Sequence, residues 1–397
     1  MMPSFILRTA RRAAGLLLCL QYALAAPVVA AQEKPAWLGL PLEYAKQSYA
    51  FKGGPAVELE RVRVLTSPAI EADRVWVRPD WSAWMTRFET QKVRLVAGAV
   101  TARPAALSRL GRVDGASTKR VTRLEFGSLK LLFGDTPLQL PAGEMLFADD
   151  GALTRIRVAL GGGVSVELVP REGGRLGVLV QSGELRWPVL PAFRLDSMVA
   201  QGEMTDDQIV LDRIGANGDG GSLSGVIRLV SAGKFLLEGD LVMNSLRARD
   251  VIQRLYPRAV VDGVLSGNLR VASSADSFDG LGRAIAVEGT YELKSGSIDR
   301  FGLLEGMRRS GSGVVGGGLV RFDQLNGRFS GRSGANAQAS FSNLVSGALR
   351  GASSFTLDPA GALRGTVSGS LVLPGGEVVS RRFVLSGKVD APTLTAP

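Results

Sequence analysis

The chain contains no histidine and a single cysteine, Cys19, in 397 residues. The first absence removes the commonest general base and metal ligand. The second leaves everything after the N-terminal stretch without a thiol. No disulfide, cysteine-based metal site or thiol nucleophile can then be built there. Aromatic residues make up only 6%, and the basic residues are mostly scattered. Nucleic-acid binding wants basic clusters interleaved with stacking aromatics, so no nucleic-acid partner is expected. Beyond the N-terminus no run is long and apolar enough to span a bilayer.

Glycine is what the chain has in quantity, with 50 residues. It separates short alternating runs such as Gly163-Val164-Ser165-Val166-Glu167-Leu168 and Gly263-Val264-Leu265-Ser266-Gly267-Asn268-Leu269-Arg270-Val271. Alternation of apolar with small or polar residues is the period-2 pattern of a strand with one apolar face. Such runs recur about every 10 to 15 residues, which predicts a mainly β body. Hydrophobic residues at 45% and charged residues at 21% exclude wholesale disorder.

The pattern predicts strands over 57–64, 74–78, 93–100, 121–133, 143–147, 153–160, 163–169 and 176–180. Further strands are expected over 194–201, 208–216, 223–230, 235–243, 264–271, 287–293, 319–323, 327–330, 337–342, 353–357, 365–373 and 382–389. One helix is expected over Leu246–Tyr256, capped by Asn244 or Ser245, with Val251, Ile252 and Leu255 on one face and Pro257 beyond its end. A shorter helix is expected over Phe301–Met307. Residues 32–56 read as irregular and the tail after Pro392 as loose. Trp76, Trp81 and Trp84 read as core or a capping cluster, with a membrane interface as the alternative.

The N-terminus reads as an export signal. Arg8, Arg11 and Arg12 precede an apolar core, Ala13 to Ala26, and Val29-Ala30-Ala31 fits a cleavage site. An uncleaved inner-membrane anchor is the alternative, since about 19 apolar residues just span a bilayer. Either way the body is expected outside the cytoplasm, in a bacterial periplasm. Residues 1–31 carry three of the ten net positive charges, which leaves +7 for the body. That charge suits anionic headgroups, or is ordinary solubilising charge. Pro188 and Pro191 suggest a division into an N-terminal β region, 32–190, and a second region, 191–397.

Motifs that would carry chemistry read as turns. Gly161-Gly162-Gly163, Gly311-Ser312-Gly313 and Gly316-Gly317-Gly318 lack the strand-to-helix setting of a phosphate loop. Asp149-Asp150 and Asp206-Asp207 abut turns and belong to no alternating series of oxygen ligands. Asn217-Gly218-Asp219-Gly220-Gly221 is a hairpin turn. No nucleophile elbow with a histidine partner can be assembled. No catalytic residue, metal ligand or cofactor is expected, and the chain reads as a non-enzyme.

The order of elements at 193–271 and again at 286–373 resembles the C-terminal region of AsmA-like proteins. The resemblance rests on Gly220-Gly221-Ser222-Leu223-Ser224-Gly225-Val226-Ile227-Arg228-Leu229 followed by Leu237-Glu238-Gly239-Asp240-Leu241 and the 246–256 helix. It continues in Glu288-Gly289-Thr290-Tyr291-Glu292-Leu293-Lys294-Ser295-Gly296-Ser297-Ile298 and Val320-Arg321-Phe322-Asp323-Gln324-Leu325-Asn326-Gly327-Arg328-Phe329-Ser330. The closing Leu385-Ser386-Gly387-Lys388-Val389-Asp390-Ala391-Pro392 also resembles the family's ending. The likeness covers about half the chain, which is short for bridging a periplasm alone.

The resemblance implies an elongated, curled antiparallel β-sheet, a taco-like β-groove with one or two short helices. It implies phospholipid acyl chains as partners, together with an inner- or outer-membrane surface and other envelope proteins. The expected role is lipid transport in support of outer-membrane homeostasis. Alternation assigns the groove lining to Ile156, Val158, Leu160, Val164, Val166, Leu168, Leu223, Ile227, Leu229, Phe235, Leu237 and Leu241. The same residues serve equally to close a sandwich or β-helix core. An exported scaffold without lipid, and a β-helix polysaccharide hydrolase or lyase, are the alternative functions.

Overall fold

A computed structural model describes residues 42–51, 54–87, 89, 91–110, 120–186, 193–309 and 313–396. The expected leader, Cys19, residues 111–119, Pro188 and Pro191 of the expected boundary, and Gly311-Ser312 lie outside the described residues. Strands take 68% of the structure and helices 10%. The chain divides into two units whose segments alternate between residues 161 and 208. The first holds the described residues up to Gly161, Ser165–Leu179 and Glu203–Asp207; the second holds Gly162–Val164, Val180–Gly202 and the remainder from Gln208.

In the first unit the strands are β1 (Leu42–Glu43), β2 (Lys46–Phe51), β3 (Pro55–Val64), β4 (Ile70–Pro79), β5 (Lys92–Ala102), β6 (Arg120–Phe133), β7 (Thr136–Leu140), β8 (Gly143–Phe147) and β9 (Leu153–Gly161). β3 pairs with β1 and β2 on one side and with β4 on the other, and β4 pairs with β5, all antiparallel. β5 and β6 run parallel, which corrects the purely antiparallel expectation. A parallel pair needs a crossover of a dozen or more residues. The described residues 103–110 that follow β5 include a helix that the sequence reading missed. β6 then pairs with β7 and β8, and β8 with β9. The core face is aliphatic in successive registers: Val57, Val77 and Leu95 in one, Leu59, Val75 and Ala97 in the next.

Two short helices pin this unit. In α1 (Trp81–Arg87), Asp80 is the N-cap, accepting from the Ala83 N–H at 3.4 Å. The same buried carboxylate accepts from Ser82 Oγ at 2.7 Å and Thr122 Oγ1 at 2.9 Å, and pairs with Arg94 at 3.3 Å. It therefore ties α1 to β5 and β6. In α2 (Pro104–Ser108), proline opens the helix where its missing N–H costs nothing. The Asp206 carboxylate accepts from the Ala105 N–H at 2.9 Å.

Five further strands follow: β10 (Val164–Arg171), β11 (Arg175–Ser182), β12 (Leu185–Arg186), β13 (Arg194–Leu195) and β14 (Ser197–Met204). β12 and β13 form a separate two-stranded pair. The second unit then runs as β15 (Gln208–Gly218), β16 (Gly221–Ser231), β17 (Phe235–Arg247), β18 (Val261–Ala275), β19 (Ala286–Asp299), β20 (Val314–Gly316), β21 (Leu319–Arg332), β22 (Ala337–Ser346), β23 (Leu349–Leu357), β24 (Leu363–Val372), β25 (Val378–Lys388) and β26 (Ala391–Thr395). Each strand from β15 to β26 pairs antiparallel with the next, except that β19 pairs with β21 and β20 joins the far side of β26. Among the described residues no pairing joins β20 back to β15, so this meander stays open.

The β15–β16 hairpin turns on Asp219 and Gly220, with φ of 51° and 77°. Two positive φ values make the turn that matches strand twist. Buried Asp219 is held there by Nη1 and Nη2 of Arg254, which donate to its two carboxylate oxygens, each at 2.6 Å. Arg254 belongs to α3 (Ala248–Leu255). This helix starts later than the expected 246, and neither Asn244 nor Ser245 caps it. The reason is the ladder: Leu246 and Arg247 still pair with Leu265 and Val264. Val251 is buried as expected, but Leu255 is 54% exposed. α4 (Leu303–Arg308) lies within one or two residues of its expected span. The tail is no loose end, because β26 pairs with both β25 and β20. Residues 32–56 likewise contain β1 and β2, and the two runs over 319–330 merge into β21.

Candidate functional site

One face of the second unit's meander is apolar from β16 to β26 and forms a single buried cluster. Its registers alternate glycine with large side chains. Gly289 lies between Leu269 and Phe329, and Gly327 between Tyr291 and Phe341. A Cβ on Gly327 would stand 2.0 Å from the Ser340 carbonyl oxygen and 2.5 Å from the Tyr291 ring. Glycine is required there by close approach: the ring folds over the space a side chain would take. Burial raises the Tyr291 hydroxyl above the ordinary phenol range, and that hydroxyl donates to the Ser340 carbonyl at 3.1 Å.

Parts of this face are covered by the chain itself. α4 lies over a glycine pair: a Cβ on Gly369 would meet Met307 Sδ at 2.9 Å, and one on Gly351 would meet Leu303 at 3.4 Å. At another margin a 3-10 turn, Phe278–Arg283, is fixed by Ser273 Oγ donating to the Leu281 carbonyl at 2.7 Å. Phe278 meets Phe235 edge-on with ring centres 6.3 Å apart.

Between these covers runs an accessible apolar strip. Ile227, Val287, Tyr291, Phe329 and Phe355 are half-buried and pack on the cluster beneath. The strand registers place all five on one face. Ile227, Gly239, Val271 and Val287 share one register; Gly289, Phe329, Ala339 and Phe355 share the adjacent one.

The twelve residues expected to line a groove fall in both units. Ile156, Val158 and Leu168 are buried, Val164 and Val166 are half-buried, and Leu160 is 44% exposed. Leu223 and Leu241 belong to the buried cluster of the second unit, and Ile227 packs at its margin. Leu229 and Leu237 are cross-strand neighbours and are buried, as is Phe235 beneath Phe278. Of the twelve, Ile227 alone belongs to the strip. Val287, Phe329 and Phe355 were missed as lining, although each stands in an alternating run.

The opposite face of the same strands is exposed and mixed, with Val226, Leu236 and Val242 set among polar and charged residues. It carries a shallow, open depression of about 670 Å³, lined among others by Asp240, Asn268, Arg270, Glu288, Thr290 and Arg328. Arg270 bridges Asp240 at 3.1 Å and Glu288 at 3.7 Å. Nearby, the Lys294 ammonium at 3.0 Å holds Glu292 below the usual carboxylate range.

The acidic pairs sit in turns. Asp150 accepts from the Ala152 N–H at 3.0 Å, Asp149 pairs with Lys92 at 3.1 Å, and Asp207 accepts from Thr205 Oγ1 at 2.8 Å. The glycines of 161–163 all have positive φ at the β9–β10 turn. Among the described residues no group of three or more acidic, histidine or cysteine side chains is placed to hold a metal ion. Nor is any helix among them long and apolar enough to cross a membrane. Compared with known proteins, the chain matches no family model and no curated protein.

Proposed function

We propose that this chain is a non-enzymatic envelope protein that holds phospholipid acyl chains against the apolar face of its second unit. In that role it supports outer-membrane lipid homeostasis. The observation that carries the reading is the half-buried strip of Ile227, Val287, Tyr291, Phe329 and Phe355, which packs on the buried cluster beneath. Each strip residue buries one side in the cluster and leaves the other for a ligand. An acyl chain laid along the strip gains apolar burial at roughly 25 cal/mol per Å². Apolar patches that reach the surface usually mark binding. Filled rows on either side make the acyl chain lie along the strip rather than thread a tunnel. The resemblance to AsmA-like proteins points the same way.

A second reading, an exported scaffold without cargo, is favoured by α4 seated on Gly351 and Gly369, where the chain fills its own interior. Native mass spectrometry with lipid extraction separates the two. The full chain, exported with its own leader, is purified in mild detergent. Stoichiometric phospholipid is expected, lost in Ile227→Asp with Phe355→Asp and kept in Val226→Asp, which places the charge on the opposite face. Unchanged circular dichroism keeps folding out of the comparison. A folded wild-type chain that carries no lipid overturns the lipid reading and leaves the scaffold.

A further inference from the structure

We propose that the depression on the exposed face of the second unit binds an uncharged, extended polysaccharide strand. This goes beyond acyl-chain binding on the opposite face and does not require it.

The inference starts from register. Asn268, Thr290, Arg328, Ser340 and Ser354 are cross-strand neighbours, one from each of β18, β19, β21, β22 and β23. Asp240, Arg270, Glu288, Ser330 and Gln338 form a second row, from β17 to β22. Residues two apart on a strand share a face, so the rows run side by side. Both line the depression of about 670 Å³. A second depression, of about 380 Å³, shares Thr290 and Arg328 with it and adds Ser266, Asn326 and Ser342. Together they make one trough that crosses the strands.

Neighbouring strands lie about 4.8 Å apart, so the first row spans about 19 Å with a hydrogen-bonding side chain at every step. Successive rings of an extended, equatorially linked polysaccharide repeat at a similar step, and each ring carries hydroxyls that donate and accept. Carboxamides and hydroxyls also do both, and a guanidinium donates through a planar fork. Among the described residues, the side chains of Asn268, Thr290, Arg328, Ser330, Gln338 and Ser354 have no hydrogen-bond or ion-pair partner, and all six residues are exposed. At one end Val242, opposite Asn268 and 41% exposed, offers an apolar contact to a ring face.

Charge narrows the ligand further. Asp240 and Glu288 share Arg270, and Glu292 is held by Lys294. With Arg328 these make three cations against three carboxylates, so the trough is neutral as a whole. Nucleic acid and anionic bilayers are drawn by an excess of cations. Nucleic acid also stacks on aromatic rings, and neither row contains one. An extended peptide that adds to a sheet needs an open strand edge, whereas β18, β19, β21, β22 and β23 are each paired on both sides. A neutral chain of hydroxyls matches both the charge and the unpartnered side chains.

Isothermal titration calorimetry tests this on the full chain, exported with its own leader and held in a detergent without a sugar headgroup. Cellohexaose and chitohexaose, both extended and uncharged, are expected to bind. Maltohexaose, whose linkage coils the chain, is expected to bind several-fold more weakly. Asn268→Ala with Gln338→Ala removes hydrogen bonds from both rows and is expected to weaken cellohexaose about tenfold. Arg382→Ala, exposed on β25 and outside the trough, is expected to leave its affinity unchanged. Thermal melting checks that both variants fold. A folded wild-type chain that binds neither cellohexaose nor chitohexaose overturns the proposal, as does unchanged affinity in the double variant. Equal affinity for maltohexaose overturns it too, since the match of steps is then idle. Tighter binding of hexagalacturonate, with a carboxylate on every ring, overturns the uncharged assignment. Ile227→Asp with Phe355→Asp removes co-purified lipid without altering the titration, so the two proposals fail separately.

Discussion

The first unit tiles its buried face with aliphatic residues, strand after strand. Val57, Val77 and Leu95 share one register, and Leu59, Val75 and Ala97 the next. In the second unit glycines sit opposite rings: Gly289 by Phe329, Gly296 by Phe322, Gly327 by Tyr291. Among the described residues of the first unit that device appears at Gly143, under Phe126. Aliphatic rows keep neighbouring strands at ordinary separation. A glycine opposite a ring lets backbones approach and the sheet coil, and the ring restores the lost burial. Among the described residues the second unit sets rings over glycine repeatedly, whereas the first buries Phe126 and Phe133 and leaves Tyr49 and Phe51 exposed.

The comparison can be broken most forcefully at the glycines. Gly327→Ala places a Cβ 2.0 Å from a backbone oxygen and is expected to cost about 3 kcal/mol by overpacking. Gly98→Ala in the first unit meets nothing within 4 Å and is expected to gain about 0.5 kcal/mol by restricting the unfolded chain. Urea denaturation of both variants checks the sign difference. Equal losses would show that the two sheets tolerate a methyl group alike.

Next in size is the buried hairpin clamp of the second unit. Asp219→Ala leaves the half-buried Arg254 guanidinium without its bidentate partner and is expected to cost about 2 kcal/mol. Hydrogen exchange resolved by peptide should show faster opening of the β15–β16 hairpin and α3, with β3–β5 unchanged. Uniform loss across both units would argue for one cooperative block.

The smallest effects are the pH limbs, and the units differ in sign. Burial raises the Asp80 carboxyl, but hydrogen bonds from Ser82 and Thr122, the Arg94 charge and the Ala83 N–H outweigh burial and hold it below the usual carboxylate range. A depressed carboxyl stabilises above its unfolded value of about 3.9, and the gain is lost as pH falls below that. Thr122→Val is therefore expected to flatten the acid limb of α1. Burial alone raises Tyr291. Its contribution is complete below the ordinary value of about 10 and is lost as pH rises above it. Tyr291→Phe should flatten the alkaline limb while costing about 1 kcal/mol at neutral pH through the lost bond to Ser340. Circular dichroism melts across pH read both limbs.

Much of the strand content was legible because alternation and glycine are local signals. The run from Gly143 to Phe147 is β8 to the residue, and Asn217 to Gly221 contains the two-residue turn. Where local reading failed, a distant partner had decided. Leu246 stays in β17 because Leu265 pairs with it, and the tail orders as β26 because β20 and β25 flank it. α2 was missed because its capping carboxylate, Asp206, comes 101 residues from Ala105. For the candidate site, alternation picked out apolar residues spread over both units. It could not rank them by cover, so buried Leu223 and half-buried Ile227 read alike.

By itself the sequence determined that this chain is mainly β, with glycine turns and apolar alternation, because φ freedom and side-chain period are properties of neighbouring residues. Only the tertiary structure decided which apolar residues stay within reach of a ligand. Cover depends on what crosses above a strand: α4 over Gly351 and Gly369, and the Phe278 turn over Phe235.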